Sequence, residues 1–415
     1  MIKIALIGAG QRGYYVYSDF ISRHPEQAEL TAVAEPDEVK RKLVGERHGL
    51  PPERLFHDWK LLLAQDRMAD AVIIATNDDM HFELVEMALD KGYHVLVEKP
   101  MSNKEDEIEA MERLAKAHPD RIFAVSHVLR YTPFFKTIKE ILDSGEIGEL
   151  ISIQHNENIG YYHMAHSFVR GNWRNSDETS PLILAKSCHD MDIMLYLAGG
   201  HCRKIASFGS LKHFCGEKKP EGASVRCLDC LYKESCPYSA VKIYMDQVEE
   251  WPANVITSEH TKEGVEKALR ETDYGKCAYQ SDNNVVDHQV TILEFSNGVS
   301  ATFNLCGFTH SISRTIKLMG SSGEIRGDME KNQVEVHHFT DGSVRTIDTS
   351  PEKEGHVGHG GGDEGLMEEF IKNLEAAVSG QPGEQLRTSA LVSAESHKMA
   401  FAAEHSRVEG KVVML

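Results

Sequence analysis

Ile2-Lys3-Ile4-Ala5-Leu6-Ile7-Gly8-Ala9-Gly10-Gln11-Arg12-Gly13 is the stretch that decides the fold. Six residues, apolar except for Lys3, run into a glycine, the pattern of a short buried parallel strand. Glycines at 8, 10 and 13 match G-x-G-x-x-G, at the turn from that strand into a helix expected over 10–23. They give a tight turn, room for a pyrophosphate against the backbone, and close helix–strand packing. The helix N-terminus then presents partial positive charge to phosphates. Alone this spacing is a weak signal. Glu35, ending a second strand 22 residues after Gly13, strengthens it, because its carboxylate can bind ribose hydroxyls. Gly8, Ala9, Gly10, Gln11, Arg12, Gly13 and Glu35 are therefore candidate dinucleotide contacts. The carboxylate favours NAD, since it repels a 2′-phosphate; Arg12 and Lys40 keep NADP open.

Outward from this turn, apolar runs at 30–34, 69–75, 94–97 and 122–125 alternate with helical patterns over 37–48, 80–91 and 104–118. That alternation implies a parallel, doubly wound α/β sheet with right-handed crossovers. From about Ser126 the pattern changes. A helix over 134–144 is followed by strand-like stretches at 150–156, 290–295, 299–304, 315–319 and 334–338, with Asn297-Gly298 as a turn. The expected division is a dinucleotide-binding domain at 1–125, a substrate and oligomerisation domain at 126–365 with a polar, Cys-bearing insertion at 208–285, and closing helices at 366–415.

The bulk numbers agree. A chain of 415 residues is long for one core, and 41% hydrophobic with 26% charged residues is a globular composition. The net charge of −19 argues against nucleic acid or an anionic membrane as partner. No run of 18 apolar residues occurs, and the first strand leaves no room for a signal peptide, so a cytoplasmic protein is expected. Its eight cysteines should be reduced or bind metal.

Thr76-Asn77, His81, Ala88, Gly92 and His94-Val95-Leu96-Val97-Glu98-Lys99-Pro100 resemble the Gfo/Idh/MocA oxidoreductases, relatives of glucose–fructose oxidoreductase and inositol dehydrogenase. The resemblance resumes at Arg130-Tyr131-x-Pro133, His189-x-x-Asp192 and Gly320-x-x-Gly323-Glu324-Ile325-x-Gly327-Asp328, and weakens across 208–285. It implies a Rossmann domain, then an α/β domain with a large, mostly antiparallel open sheet, and an active site in the cleft between them. It places Thr76, Asn77, His81, Glu98 and Lys99 at the cofactor, Lys99 beside nicotinamide and substrate hydroxyl, and His189 approaching from the second domain. His127, Arg130, Tyr131 and Asp192 would line the cleft. The chemistry is coherent, because oxidising a carbinol requires a base for the hydroxyl proton, and Lys or His can serve. Many relatives carry Asp four residues before the His; here Ala185 stands there, followed by Lys186. If this segment is helical, Lys186 and His189 share a face, and Lys186 becomes a substitute catalytic or substrate-binding group.

Residues 160–174 are dense in aromatic and hydrogen-bonding groups, which suits sugar rings; Tyr162, His163, His166, Arg170 and Trp173 are candidate substrate contacts. Cys215, Cys227, Cys230 and Cys236 form C-x11-C-x2-C-x5-C, read as structural zinc ahead of free thiols or an iron–sulfur cluster. His356, His359 and Asp363 in a Gly-rich loop are read as a flap or a helix cap rather than as metal ligands. The leading function is an NAD(P)-dependent dehydrogenase or ketoreductase acting on a sugar, cyclitol or glycoside. The alternatives are a redox-neutral glycosidase working by transient C3 oxidation and elimination, and a non-catalytic NAD-binding sensor. A homo-oligomer, dimer or tetramer, follows from the resemblance.

Overall fold

The computed structural model describes residues 1–351, 358–383 and 386–415. The chain divides into two compact units, one comprising Met1–Ser144, Met191–Leu197 and Asp348–Met399, the other Gly145–Asp190, Ala198–Ile347 and Ala400–Leu415.

The first unit is built on six strands, β1 (Ile2–Ile7), β2 (Ala28–Ala34), β3 (Leu55–Phe56), β4 (Ala71–Ile74), β5 (His94–Val97) and β6 (Phe123–Val125). They pair in parallel in the order β3-β2-β1-β4-β5-β6. Every residue of β4 and β5 is buried, as a sheet covered on both faces demands. The chain moves outward from β1 in one direction, then restarts at β4 on its other side. That reversal leaves a crevice beyond the carboxyl ends of β1 and β4, where α/β sheets bind ligands. The helix Gly362–Val378 closes this core, with Leu366, Met367, Phe370, Ile371 and Leu374 packed among Ile4, Tyr17 and Phe20. The helix expected over 10–23 is irregular: Gly13–Ser18 is a π-turn, and regular helix covers only Asp19–Arg23.

The second unit carries nine strands, β7 (Leu150–Asn158), β8 (Cys202–Ser210), β9 (His288–Phe295), β10 (Ser300–Cys306), β11 (Ser313–Gly320), β12 (Gly323–Asp328), β13 (Gln333–His338), β14 (Val344–Asp348) and β15 (Val413–Met414). Their order is β14-β13-β12-β11-β7-β10-β9-β8-β15. β7 and β10 run parallel, while β8/β9, β9/β10, β7/β11, β11/β12 and β12/β13 are antiparallel. β9 to β11 alternate strictly between buried and more accessible residues, so one sheet face is packed and the other open. The Asn297-Gly298 turn is present, with Gly298 at φ +87°. The insertion, weakly periodic in sequence, folds around a small core of its own that includes Tyr244, Val265 and Leu269. Its helix Lys262–Glu271 is capped by the Thr261 hydroxyl on the Gly264 N–H. Among the described residues no helix is long and apolar enough to cross a membrane.

Candidate active site

The glycine turn separates into packing and open positions. A Cβ at Gly8, whose φ is +91°, would stand 2.3 Å from the Ala75 carbonyl oxygen, and one at Gly13 would stand 2.0 Å from that of Gly8. At Gly10 nothing of the protein lies within 4 Å, which leaves the room a pyrophosphate needs. Glu35 is buried at the same turn, accepting the Ala9 N–H at 2.7 Å and the Asp37 N–H at 2.9 Å. These residues fit a dinucleotide: open backbone for phosphates, and a carboxylate at the end of β2 for ribose hydroxyls. Arg12 is committed elsewhere. Its guanidinium pairs with Glu98 at 2.6 Å and Asp363 at 2.7 Å.

Glu98, expected at the cofactor, is a buried hub. It receives Arg12, the Tyr17 hydroxyl, the Ser126 hydroxyl at 2.7 Å and the Lys99 N–H at 3.1 Å. Burial opposes its ionisation, yet Arg12 and the two hydroxyl donors hold it below the usual carboxylate range. Lys99 follows it, its N–H also donating to Ser126 Oγ at 3.0 Å, and the Lys99–Pro100 peptide is cis. His81 is a strut, its ring nitrogens 2.8 Å from the Pro100 carbonyl and 3.2 Å from that of Thr76. It thereby ties the loop after β4, with Thr76 and Asn77, to the loop after β5. His127 is fully buried and held neutral, by burial first and then by Arg130 and Lys99; His397, its ring 5.3 Å away, is pushed down to about 3 by burial and His127. Arg130 grips Asp192 with two bonds of 2.6 and 2.7 Å, and the Tyr131 hydroxyl meets Glu369 at 2.9 Å. These three substrate candidates are thus held by protein partners.

In the second unit, His189 lies buried in the first turn of the helix Cys188–Ala198. Lys186 sits between that helix and the short helix Leu182–Ala185, so shared-face spacing with His189 does not apply. Its amine instead lies 3.2 Å from Glu157. His163 and His166 pack edge-on to Trp251, ring centroids 4.9 and 5.3 Å away, and Tyr162 meets the same indole at 6.2 Å. His166 also bonds the Tyr244 hydroxyl at 2.9 Å, and burial pushes it down to about 4. Trp173 is partly exposed beside Phe168. Arg170 is only 1% exposed, its guanidinium donating to the carbonyls of Lys276 at 2.8 Å and Tyr238 at 2.7 Å. That places it inside the insertion as a brace rather than at an open surface.

The zinc reading of the cysteine quartet finds no support among the described residues. Cys227, Cys230 and Cys236 line one cavity together with Cys277, whereas Cys215 is absent from that lining and its thiol donates to the Lys212 carbonyl. Among the described residues no group of three or more His, Cys, Asp or Glu side chains is arranged to hold a metal ion. His359 pairs with Asp363 at 3.0 Å, while His356 lies outside the described residues. Tyr17, Ser126, Glu157, Trp251, Arg314 and His397 carried no local motif, and only folding brings them to these groups.

Comparison with known proteins now adds the family. Residues 2–127 match the NAD-binding Rossmann fold of the Gfo/Idh/MocA oxidoreductase family, and residues 139–374 match its C-terminal alpha/beta domain. The chain belongs to this family. It is an NAD(P)-dependent oxidoreductase of the Gfo/Idh/MocA type. An inositol 2-dehydrogenase of Corynebacterium glutamicum is 26% identical over 53% of this chain and 61% of its own length. The scyllo-inositol 2-dehydrogenase (NAD(+)) of Bacillus subtilis is 27% identical over 51% of this chain and 58% of its own. A levoglucosan dehydrogenase solved with NADH and levoglucosan shares the fold, with a TM-score of 0.71 at 17% identity, covering 100% of this chain and 98% of that one.

Proposed function

We propose that this Gfo/Idh/MocA enzyme oxidises a secondary hydroxyl of a sugar or cyclitol, with Lys99 as the base. The observation that carries the reading is the Glu98 hub, which fastens the dinucleotide turn through Arg12 and fixes the Lys99 backbone through its N–H. Base and cofactor turn therefore share one rigid frame, which oriented proton and hydride transfer needs. The substrate class is supported by relatives named as inositol and levoglucosan dehydrogenases. Glu35 at the Ala9 N–H, with Arg12 already paired, favours NAD over NADP.

When bound, NAD+ supplies the hydride acceptor. Lys99 takes the hydroxyl proton on its amine as the C–H bond breaks, leaving a carbonyl product. His189 is the second acid–base group, and the aromatic cluster of Tyr162, His163 and Trp251 offers flat faces for ring C–H surfaces. The first unit takes the cofactor role and the second the substrate role.

The test is a panel of sugars, inositols and aryl glycosides with NAD, following NADH and released aglycone together. NADH should accumulate in step with substrate loss, and K99A should lower turnover about a hundred-fold or more while still binding NADH. Undiminished turnover in K99A would overturn the assignment. Aglycone release without net NADH would establish the oxidation–elimination glycosidase instead.

A further inference from the structure

The packed face of the second unit's sheet carries a buried charged network. Glu157 on β7 is fully buried and stands directly opposite Arg314 on β11. The Arg314 guanidinium spans Glu157 at 2.8 Å and Asp190 at 2.9 Å. His155, two residues before Glu157 on β7, adds its Nε2 to Asp190 at 2.8 Å. Asp190 directly follows His189, so the network also fixes the turn that carries that histidine. Asp190 is held far below its usual range, with burial outweighed by Arg314 and His155.

Lys186 joins this network from outside. Its amine lies 3.2 Å from Glu157, and its side chain is 17% exposed while Glu157 is at 0%. The Lys186 side chain therefore keeps some exposure beside a carboxylate that has none. Glu330, on the turn after β12, and Asp328, the last residue of that strand, lie beside this group, and the exposed Glu330 feels both Arg314 and Lys186. An opposite charge this close favours the ammonium form, and the buried carboxylate cannot be solvated without it.

We propose that Glu157 holds Lys186 as a permanent ammonium, which donates a hydrogen bond to an oxygen of the bound substrate and takes no proton from it. Glu157 is then a positioning residue, and the proton leaves through Lys99 or His189. This rests on the dehydrogenase reading. Glu157 supplies from the sheet the charge that compensates this cation.

Two measurements test it on the full-length enzyme. The first is acylation of Lys186 by acetic anhydride between pH 7 and 9, read by peptide mass spectrometry, since only a neutral amine reacts. Wild-type Lys186 should react about ten-fold or more slowly than Lys186 in E157Q, because the carboxylate holds the amine protonated. The second is the pH dependence of kcat/KM. K186M should lower it about a hundred- to a thousand-fold, the usual loss for one preorganised donor, without changing the shape of the profile. K186R should recover much of that loss, and E157Q should add a new alkaline limb where Lys186 loses its proton. Equal labelling in wild type and E157Q would overturn the proposal. So would a K186M profile that loses a limb, or one within about two-fold of wild type. A wild-type enzyme inert on every substrate would overturn the dehydrogenase reading instead, and the labelling would still decide the charge of Lys186.

Discussion

Gly10 and Gly13 differ in what stands opposite their missing side chains, and that difference separates cofactor binding from folding. Gly13→Ala drives a methyl into the Gly8 carbonyl, 2.0 Å away, so it should cost about 1–3 kcal/mol and lower Tm. Gly10→Ala meets no protein atom within 4 Å, so it should fold at least as well as wild type. The same methyl would occupy the space proposed for pyrophosphate, and NAD affinity should fall about ten-fold or more, a loss of about 1.4 kcal/mol. Calorimetry and NADH titration read the two effects separately; equal behaviour of the two variants would refute the division. The glycines were legible in sequence because their constraint is local, within one turn. Arg12 was not, because its partners Glu98 and Asp363 come from distant segments. The sequence left Arg12 available to a 2′-phosphate, and the fold commits it to two carboxylates.

Elements whose faces are set by period were read well from sequence. β9 alternates Gln289, Thr291 and Leu293 inward with Val290 and Ile292 outward, and both outward residues are exposed. Phe208 on β8 lies opposite Val290 in register and is 67% exposed. Three large apolar side chains on one open sheet face suit burial against a second copy of the chain. The expected outcome is self-association of the wild type through this face in analytical ultracentrifugation, lost in Ile292→Asp with its far-UV spectrum unchanged; a wild-type monomer would refute the pairing. Elements shaped by tertiary demands were read less well. The first helix opens as a π-turn at Gly13–Ser18, which places Tyr17 on Glu98. The segment 182–198 breaks at Lys186 and Ser187, so helical spacing misjudged the partner of Lys186. Cysteine spacing found three of the four thiols at the insertion's cavity and missed the fourth. It describes distance along the chain, and the turns of the insertion bring Cys277 to the cavity in place of Cys215.

For the molecule as a whole, buried neutral histidines predict acid sensitivity. Burial, aided by Arg121 and Arg67, pushes His94 down to about 4; burial also takes His166 to about 4 and, with His127, His397 to about 3. Each takes a proton near pH 6.5 when unfolded but resists it when folded, so the unfolded state binds more protons below that pH. Stability is therefore fully present above about pH 6.5 and is lost as pH falls toward 4 and 3, by about 1.4 kcal/mol per pH unit for each histidine. Denaturant midpoints should hold from pH 7.5 to about 6.5 and fall from there to pH 4.5; a flat or rising profile over that lower range would count against the buried neutral forms. What the sequence determined by itself is the fold class, the dinucleotide turn and the membership of Lys99 in a Glu-Lys-Pro element, because each depends on periodicity or on neighbours a few residues apart. What only the tertiary structure decided is the partnership of each charge: Arg12 with Asp363, Arg130 with Asp192, Lys186 with Glu157. A buried charge must find its counter-ion wherever the fold supplies one, and that choice is made in space, across separations that leave no pattern along the chain.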